Sequence, residues 1–206
     1  MKKLFANVAL IAAMSFAGKA QAQIVAYLGY APETFKTTNT TTNTFSGTNF
    51  QGFFLGGAYN IELPFLSGLG VAPGLQFRLN TRSDNQNTQT QTLIDIPILV
   101  DYVIPINKNI TVAPFVGPML SLALSGTSKN KNTDISYPWY GENGSLNRFN
   151  LYGVVGAEGS YTNFMLFLGY RFGFLDIDKS GLTKTKANGF FVGLGAMILF
   201  SVIMYF

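Results

Sequence analysis

The sequence predicts an all-β fold: a transmembrane, antiparallel up-and-down β-barrel of eight strands, with short periplasmic turns and longer extracellular loops. Three observations predict it. The 206 residues are 48% hydrophobic and 15% aromatic but only 12% charged, against about 25% charged in a typical soluble domain. Apolar residues alternate with small or polar ones at a period of two, which marks a strand with one face in lipid. The breaks between such segments are alternately short and long.

The N-terminus predicts export. Met1-Lys2-Lys3 precedes an apolar run from Leu4 to Phe16, and Ala20-Gln21-Ala22 follows. A basic start, a core too short to span a bilayer and an A-x-A site describe a cleaved signal peptide. Residues 1–22 are therefore expected to be removed and residues 23–206 to form the barrel domain. Loss of Lys2, Lys3 and Lys19 takes the basic count from 14 to 11 against 10 acidic residues, a net charge of +1. The remaining basic residues are scattered, which excludes a nucleic-acid-binding face. The chain has neither cysteine nor histidine. It therefore lacks disulfides, the usual zinc ligands and the commonest general base, and neither cofactor nor metal is expected.

The clearest alternation runs from Leu69 to Arg82. Leu69, Val71, Leu75, Phe77 and Leu79 share one face, and Gly70, Gly74, Gln76, Arg78 and Asn80 the other. In 93–104, Ile94, Ile96, Ile98 and Val100 oppose Asp95, Leu99 and Asp101. In 110–124, Val112, Val116, Leu120 and Leu122 oppose Ala113, Phe115 and Ser121, although Pro114 and Pro118 each remove a ladder donor. Similar strands are expected at 49–61, 149–161 and 163–175, with an opening strand near 24–34 whose phase is ambiguous. The uncharged run from Gly189 to Phe206 is long enough, alone, for a membrane helix. It is expected as the eighth strand instead, because an open sheet edge does not survive in hydrocarbon. Short breaks fall at 62–68, 105–109 and 161–163. Longer ones fall at 35–48, 82–91, 125–148 and 176–187. The Thr/Asn tract from Thr37 to Thr44 is expected to be a mobile external loop.

Specific runs resemble a known family. Arg148 to Gly153 and Val155 to Glu158, followed by Leu168 to Phe174, resemble the last hairpin region of the Bacteroidetes outer-membrane β-barrel family, which includes PorT-like proteins. Ala113 to Pro118 resembles its mid-barrel stretch, and small OmpX- or OmpA-like barrels share the plan. The terminal Phe206 matches the ending that the barrel-assembly machinery recognises. The resemblance implies the outer membrane of a Gram-negative bacterium. It also implies contact with lipid and lipopolysaccharide, and with other envelope or secretion proteins.

Five charged residues fall on the expected inner face: Arg78, Asp95, Asp101, Glu158 and Arg171. A barrel of eight strands is just wide enough to be filled by side chains, so these charges are expected to pair into a structural lumen network. Asp95 and Asp101 lie six residues apart, roughly 20 Å along a strand, too far for a paired-carboxylate hydrolase. Gly193 and Gly195 lack the context of a dinucleotide site and relieve crowding in the lumen. Outside the barrel, Tyr137, Trp139 and Tyr140 are the candidate contact surface, or an aromatic cluster folded on the rim. The expected function is a barrel without catalytic activity that has a structural or surface-interaction role through its loops. The alternative is transport, as a narrow solute pore or an accessory of a secretion system.

Overall fold

The computed structural model describes residues 23–63, 65–142 and 144–199. The expected signal peptide, Ser201 and Phe206 lie outside the described residues. The elements are β1 (Gln23–Tyr30), β2 (Glu33–Asn39), β3 (Phe45–Glu62), β4 (Leu69–Ser83), β5 (Asn87–Tyr102), β6 (Ile104–Pro105), β7 (Ile110–Asn130), β8 (Ser136–Pro138), β9 (Phe149–Tyr161), β10 (Phe164–Gly173) and β11 (Thr183–Leu199). All pairings are antiparallel, and the sheet closes because β1 and β2 each pair with both β3 and β11.

These eleven elements make eight staves. Tyr30 opposite Phe53 and Glu33 opposite Phe50 keep one register. Thus β1 and β2 are one stave interrupted at Ala31–Pro32, where proline has no N–H to give. In the same way β6 continues β5 against β7, with Asp101 opposite Phe115 and Ile104 opposite Val112. The short β8 pairs only with the outer end of β7. The eighth stave is β11, which pairs with β1 from Gln23 opposite Leu199 onward. No helix among the described residues is long and apolar enough to cross a membrane.

The alternation sets the faces as expected. Leu75, Phe77, Ile96, Ile98, Val116, Leu166, Leu168 and Leu194 point outward into a continuous apolar belt. Arg78, Asp95, Phe115, Ser121, Met165 and Arg171 point inward and are buried. The prolines of β7 are accommodated: Pro114 and Pro118 stay in register opposite Ala157 and Gly153 of β9. Successive N–H groups of a strand point to alternate neighbours. Two prolines of the same parity therefore strip donors from one seam only.

The external segments differ from expectation. A tilted strand needs about 9–11 residues to span the bilayer, whereas β3 has 18, β5 16, β7 21 and β11 17. The staves run past the membrane, so the breaks at 35–48 and 82–91 are largely paired sheet, and those at 125–148 and 176–187 begin or end in it. The Thr37–Thr44 tract is not a free loop. Its first three residues belong to β2, and the Thr37 and Thr185 hydroxyls meet across the β2–β11 seam at 2.9 Å. The Asn39 side chain accepts the N–H groups of Thr41 and Thr42 at 2.9 and 3.1 Å and turns the chain into β3. The β propensity of threonine outweighs the low complexity of the tract. The turn from β4 to β5 is equally tight: Asp84 accepts the N–H groups of Asn87 and Gln86, which hold its carboxyl below the usual range.

Heat modifiability checks the closed barrel. The unheated protein is expected to resist SDS and to change its gel mobility on boiling, whereas identical mobility before and after boiling contradicts closure by β11.

Candidate functional site

The outer half of the lumen is organised around Arg78, which is fully buried. Its position on β4 faces β5, where Asp95 pairs in register with Gln76. Arg78 Nε donates to Asp95 Oδ2 at 2.7 Å and Nη2 to Asp95 Oδ1 at 3.2 Å, a two-pronged carboxylate contact. Its Nη1 donates to Glu33 Oε1 at 2.9 Å, past the intervening β3. Asp95 also accepts from Ser121 of β7 at 2.5 Å and from Gln76 at 2.9 Å. Glu33 accepts from the Tyr152 hydroxyl of β9 at 2.8 Å and from Asn80 at 2.7 Å.

Arg171 of β10 completes the cluster. It donates to the Ala31 carbonyl at 3.1 Å, stands 3.8 Å from Glu33 and lies over the Tyr152 ring at 5.9 Å. Two guanidinium groups thus face two carboxylates, each within the ring of staves. The charge balances, and the partners come from β2, β4, β5, β7, β9 and β10.

Above the charges sits an aromatic cap. At Gly126 the chain leaves β7 with a backbone that a side chain could not share, since an added Cβ would meet the Trp139 ring at 3.0 Å. Trp139 packs on Phe50 and Phe35 at ring-centroid distances of 5.7 and 6.4 Å. Tyr140 is buried, its hydroxyl bonded to Gln91 and its ring 5.4 Å from the Arg148 guanidinium. The chain after β10 locks onto this segment: Asn147 donates to the Ile177 carbonyl at 2.8 Å, and Ile177 is buried among Phe35, Phe50 and Tyr152.

The structure therefore divides the candidate residues. Arg78, Asp95 and Arg171 come together. Asp101 and Glu158 do not join them: they lie toward the periplasmic end and take part in no ion pair among the described residues. The cause is register, because Asp101 stands opposite Gly70 and Phe115, far along β5 from Asp95. Of the candidate contact surface only Tyr137 is exposed; Trp139 is half-buried and Tyr140 buried. Those two rings pack over the outer end of the lumen. Glu33, the second carboxylate of the cluster, escaped the sequence reading. Both faces of 24–34 are apolar up to Pro32, so the phase of that strand could not be read. The signal that does identify Glu33 is its odd parity with Val25 and Tyr27.

Below the arginines the lumen holds a chamber of about 110 Å³ lined by Tyr27, Phe54, Phe115, Phe167 and Phe191, among others. Gly193 relieves crowding here, since an added Cβ would collide with the Phe167 ring. A second, wider cavity of about 470 Å³ opens at the periplasmic mouth.

A barrel of eight staves with an apolar belt and a plugged outer lumen defines a small membrane-spanning β-barrel. A profile of the family described as "Outer membrane protein beta-barrel domain" matches residues 15–179, and the chain belongs to that family. It is a protein of the outer membrane of Gram-negative bacteria. Among solved structures, it is similar to Ail, the attachment invasion locus protein of Yersinia pestis, at 15% identity over 86% of this chain and 99% of that one, with a TM-score of 0.50. Neisserial surface protein A matches at 15% identity over 83% and 96%, with a TM-score of 0.47. The outer membrane enzyme PagL matches at 9% identity over 85% and 99%, with a TM-score of 0.49. At these identities the likeness concerns the fold alone. A comparison with curated protein sequences found no match.

Removing one member of the cluster strands its partners. Arg78→Met is expected to destabilise the barrel by about 3–5 kcal/mol, because Asp95 and Glu33 then stay buried without their cation. Urea unfolding in lipid vesicles measures this. The triple variant with Glu33→Gln and Asp95→Asn should recover part of the loss.

Proposed function

We propose that this protein is a barrel without catalytic activity that acts in the envelope through its outer surface and not through its lumen. The observation that carries this reading is the closed outer lumen, where the Glu33–Arg78–Asp95 cluster lies directly under Phe50 and Trp139. Free conduction belongs to barrels of about sixteen strands, whose interior is wider than their side chains can fill.

The outer surface offers a place to act. The seam between β3 and β4 ends where Gln51 meets Thr81. Beyond it, β3 pairs only with β2, and Arg82 and Ser83 of β4 pair only with β5. The extended wall thus parts into two flaps with unpaired edges, and an exposed edge accepts an added strand. Phe45 stands fully exposed on one of these edges. Lipopolysaccharide is the expected neighbour of the belt at this leaflet, and the barrel-assembly machinery the expected partner during insertion.

A second reading keeps the kinship with PorT-like proteins of Bacteroidetes and makes the barrel an accessory of a secretion system. The wide periplasmic mouth favours it. Such an accessory is expected to co-purify with envelope proteins after mild extraction, and recovery as a lone monomer contradicts it.

Planar-bilayer recording tests the first reading. A steady baseline after insertion is the expected result, and discrete conductance steps from the intact barrel contradict it.

A further inference from the structure

The inner half of the lumen is built differently from the outer half. Its chamber is close in size to the ~150 Å³ apolar cavity that accepts benzene in an engineered protein. Its walls are rings: Tyr27 packs edge-on to Phe167 at 5.7 Å, and Phe54 lies 6.1 Å from both. The chamber adjoins the periplasmic vestibule, with Asn60, Asp101 and Glu158 lining both.

Those shared residues form a neck with uncompensated charge. Asp101 is 5% exposed, and its Oδ1 has no hydrogen-bond partner. Its Oδ2 receives only a long contact of 3.5 Å from Asn60 Nδ2. Glu158 lies on the far side of β7, opposite Ala113, while Asp101 stands opposite Phe115. The two carboxylates thus flank one stave, offset by two residues along it, with backbones roughly 12 Å apart. The remaining charged groups around the two cavities are Arg171 at the roof, held by Ala31 and Glu33, and Glu62 and Lys108 in the vestibule. Among side chains, Glu62, Asp101 and Glu158 against Lys108 leave the vestibule and neck negative by two.

A buried carboxylate without a donor is costly unless a cation meets it. Aromatic faces present negative charge and attract cations as well. We propose that the chamber and its neck are a binding site for a small hydrophobic cation that enters from the periplasm. An aromatic or short alkyl group fills the chamber, and an ammonium rests between Asp101 and Glu158. An anion of the same shape is repelled at the neck, and a neutral one gains only the chamber.

The folded barrel in nanodiscs of zwitterionic lipid provides the test, with ligand binding followed by titration calorimetry. The probes are benzyltrimethylammonium, benzyl alcohol and benzoate. Saturable binding of benzyltrimethylammonium is expected, about tenfold or more tighter than benzyl alcohol, with benzoate weakest. Asp101→Asn and Glu158→Gln should each weaken the ammonium about tenfold while leaving benzyl alcohol unchanged. Ala58→Phe, which fills the chamber from its wall, should abolish binding of both while the heat-dependent gel shift persists. Benzyl alcohol or benzoate binding as tightly as the ammonium overturns the proposal. So does undiminished ammonium binding in both carboxylate variants, or no saturable binding at millimolar concentration.

Discussion

One buried ion cluster governs how this barrel is put together. A closed sheet in lipid satisfies its backbone groups through its seams, but the inward face must also be filled, and here it is filled with charge. Arg78 joins Asp95 on the adjacent stave to Glu33 two staves away on the other side, past β3. Once Glu33 and Asp95 accept from Arg78, Tyr152, Asn80 and Ser121, the registers of five staves are tied together, and Arg171 beside Glu33 adds a sixth. A one-residue slip of any of these staves would turn its polar member outward into hydrocarbon.

The remainder of the lumen follows from that plug. Above it, aromatic rings and the segment around Ile177 close the outer end, and loops that would otherwise be free become part of the core. Below it, charge gives way to rings and glycine, and space is left unfilled. The two halves therefore differ in kind: one is charge-balanced and closed, the other open to the periplasm and carrying two carboxylates without cations.

How much of this was legible in the sequence depended on what each segment had to do. The membrane-spanning parts of β4, β5, β7 and β10 declare their faces, because lipid demands apolar residues on one side and the lumen demands small or polar ones on the other. Arg78, Asp95 and Arg171 could be placed inward for that reason alone. The grouping of the charges could not, because whether Asp101 reaches Arg78 depends on stagger between staves, which no single strand encodes. Glu33 was hidden by a strand apolar on both faces. The external extensions were misjudged for a different reason. Beyond the membrane the outer face meets water, so Thr and Asn blur the alternation, and Thr37 to Thr44 looks like a loop although its first three residues are paired. Trp139 and Tyr140 were legible as the unusual residues of their segment, but their packing depends on Gly126 and on the distant segment around Ile177, which neither alternation nor spacing reveals.

The most direct measurement is the exchange of arginine Nε–H protons with water, followed by NMR on the ¹⁵N-arginine-labelled barrel in nanodiscs. The chain has four arginines, so each signal can be assigned by single substitution. If the cluster is the closed plug described here, the Nε–H of Arg78 is protected, while that of Arg82, whose side chain is 35% exposed, exchanges rapidly. Exchange at Arg78 as fast as at Arg82 would mean that water reaches the cluster, and the account of a plugged, register-fixing lumen would fall.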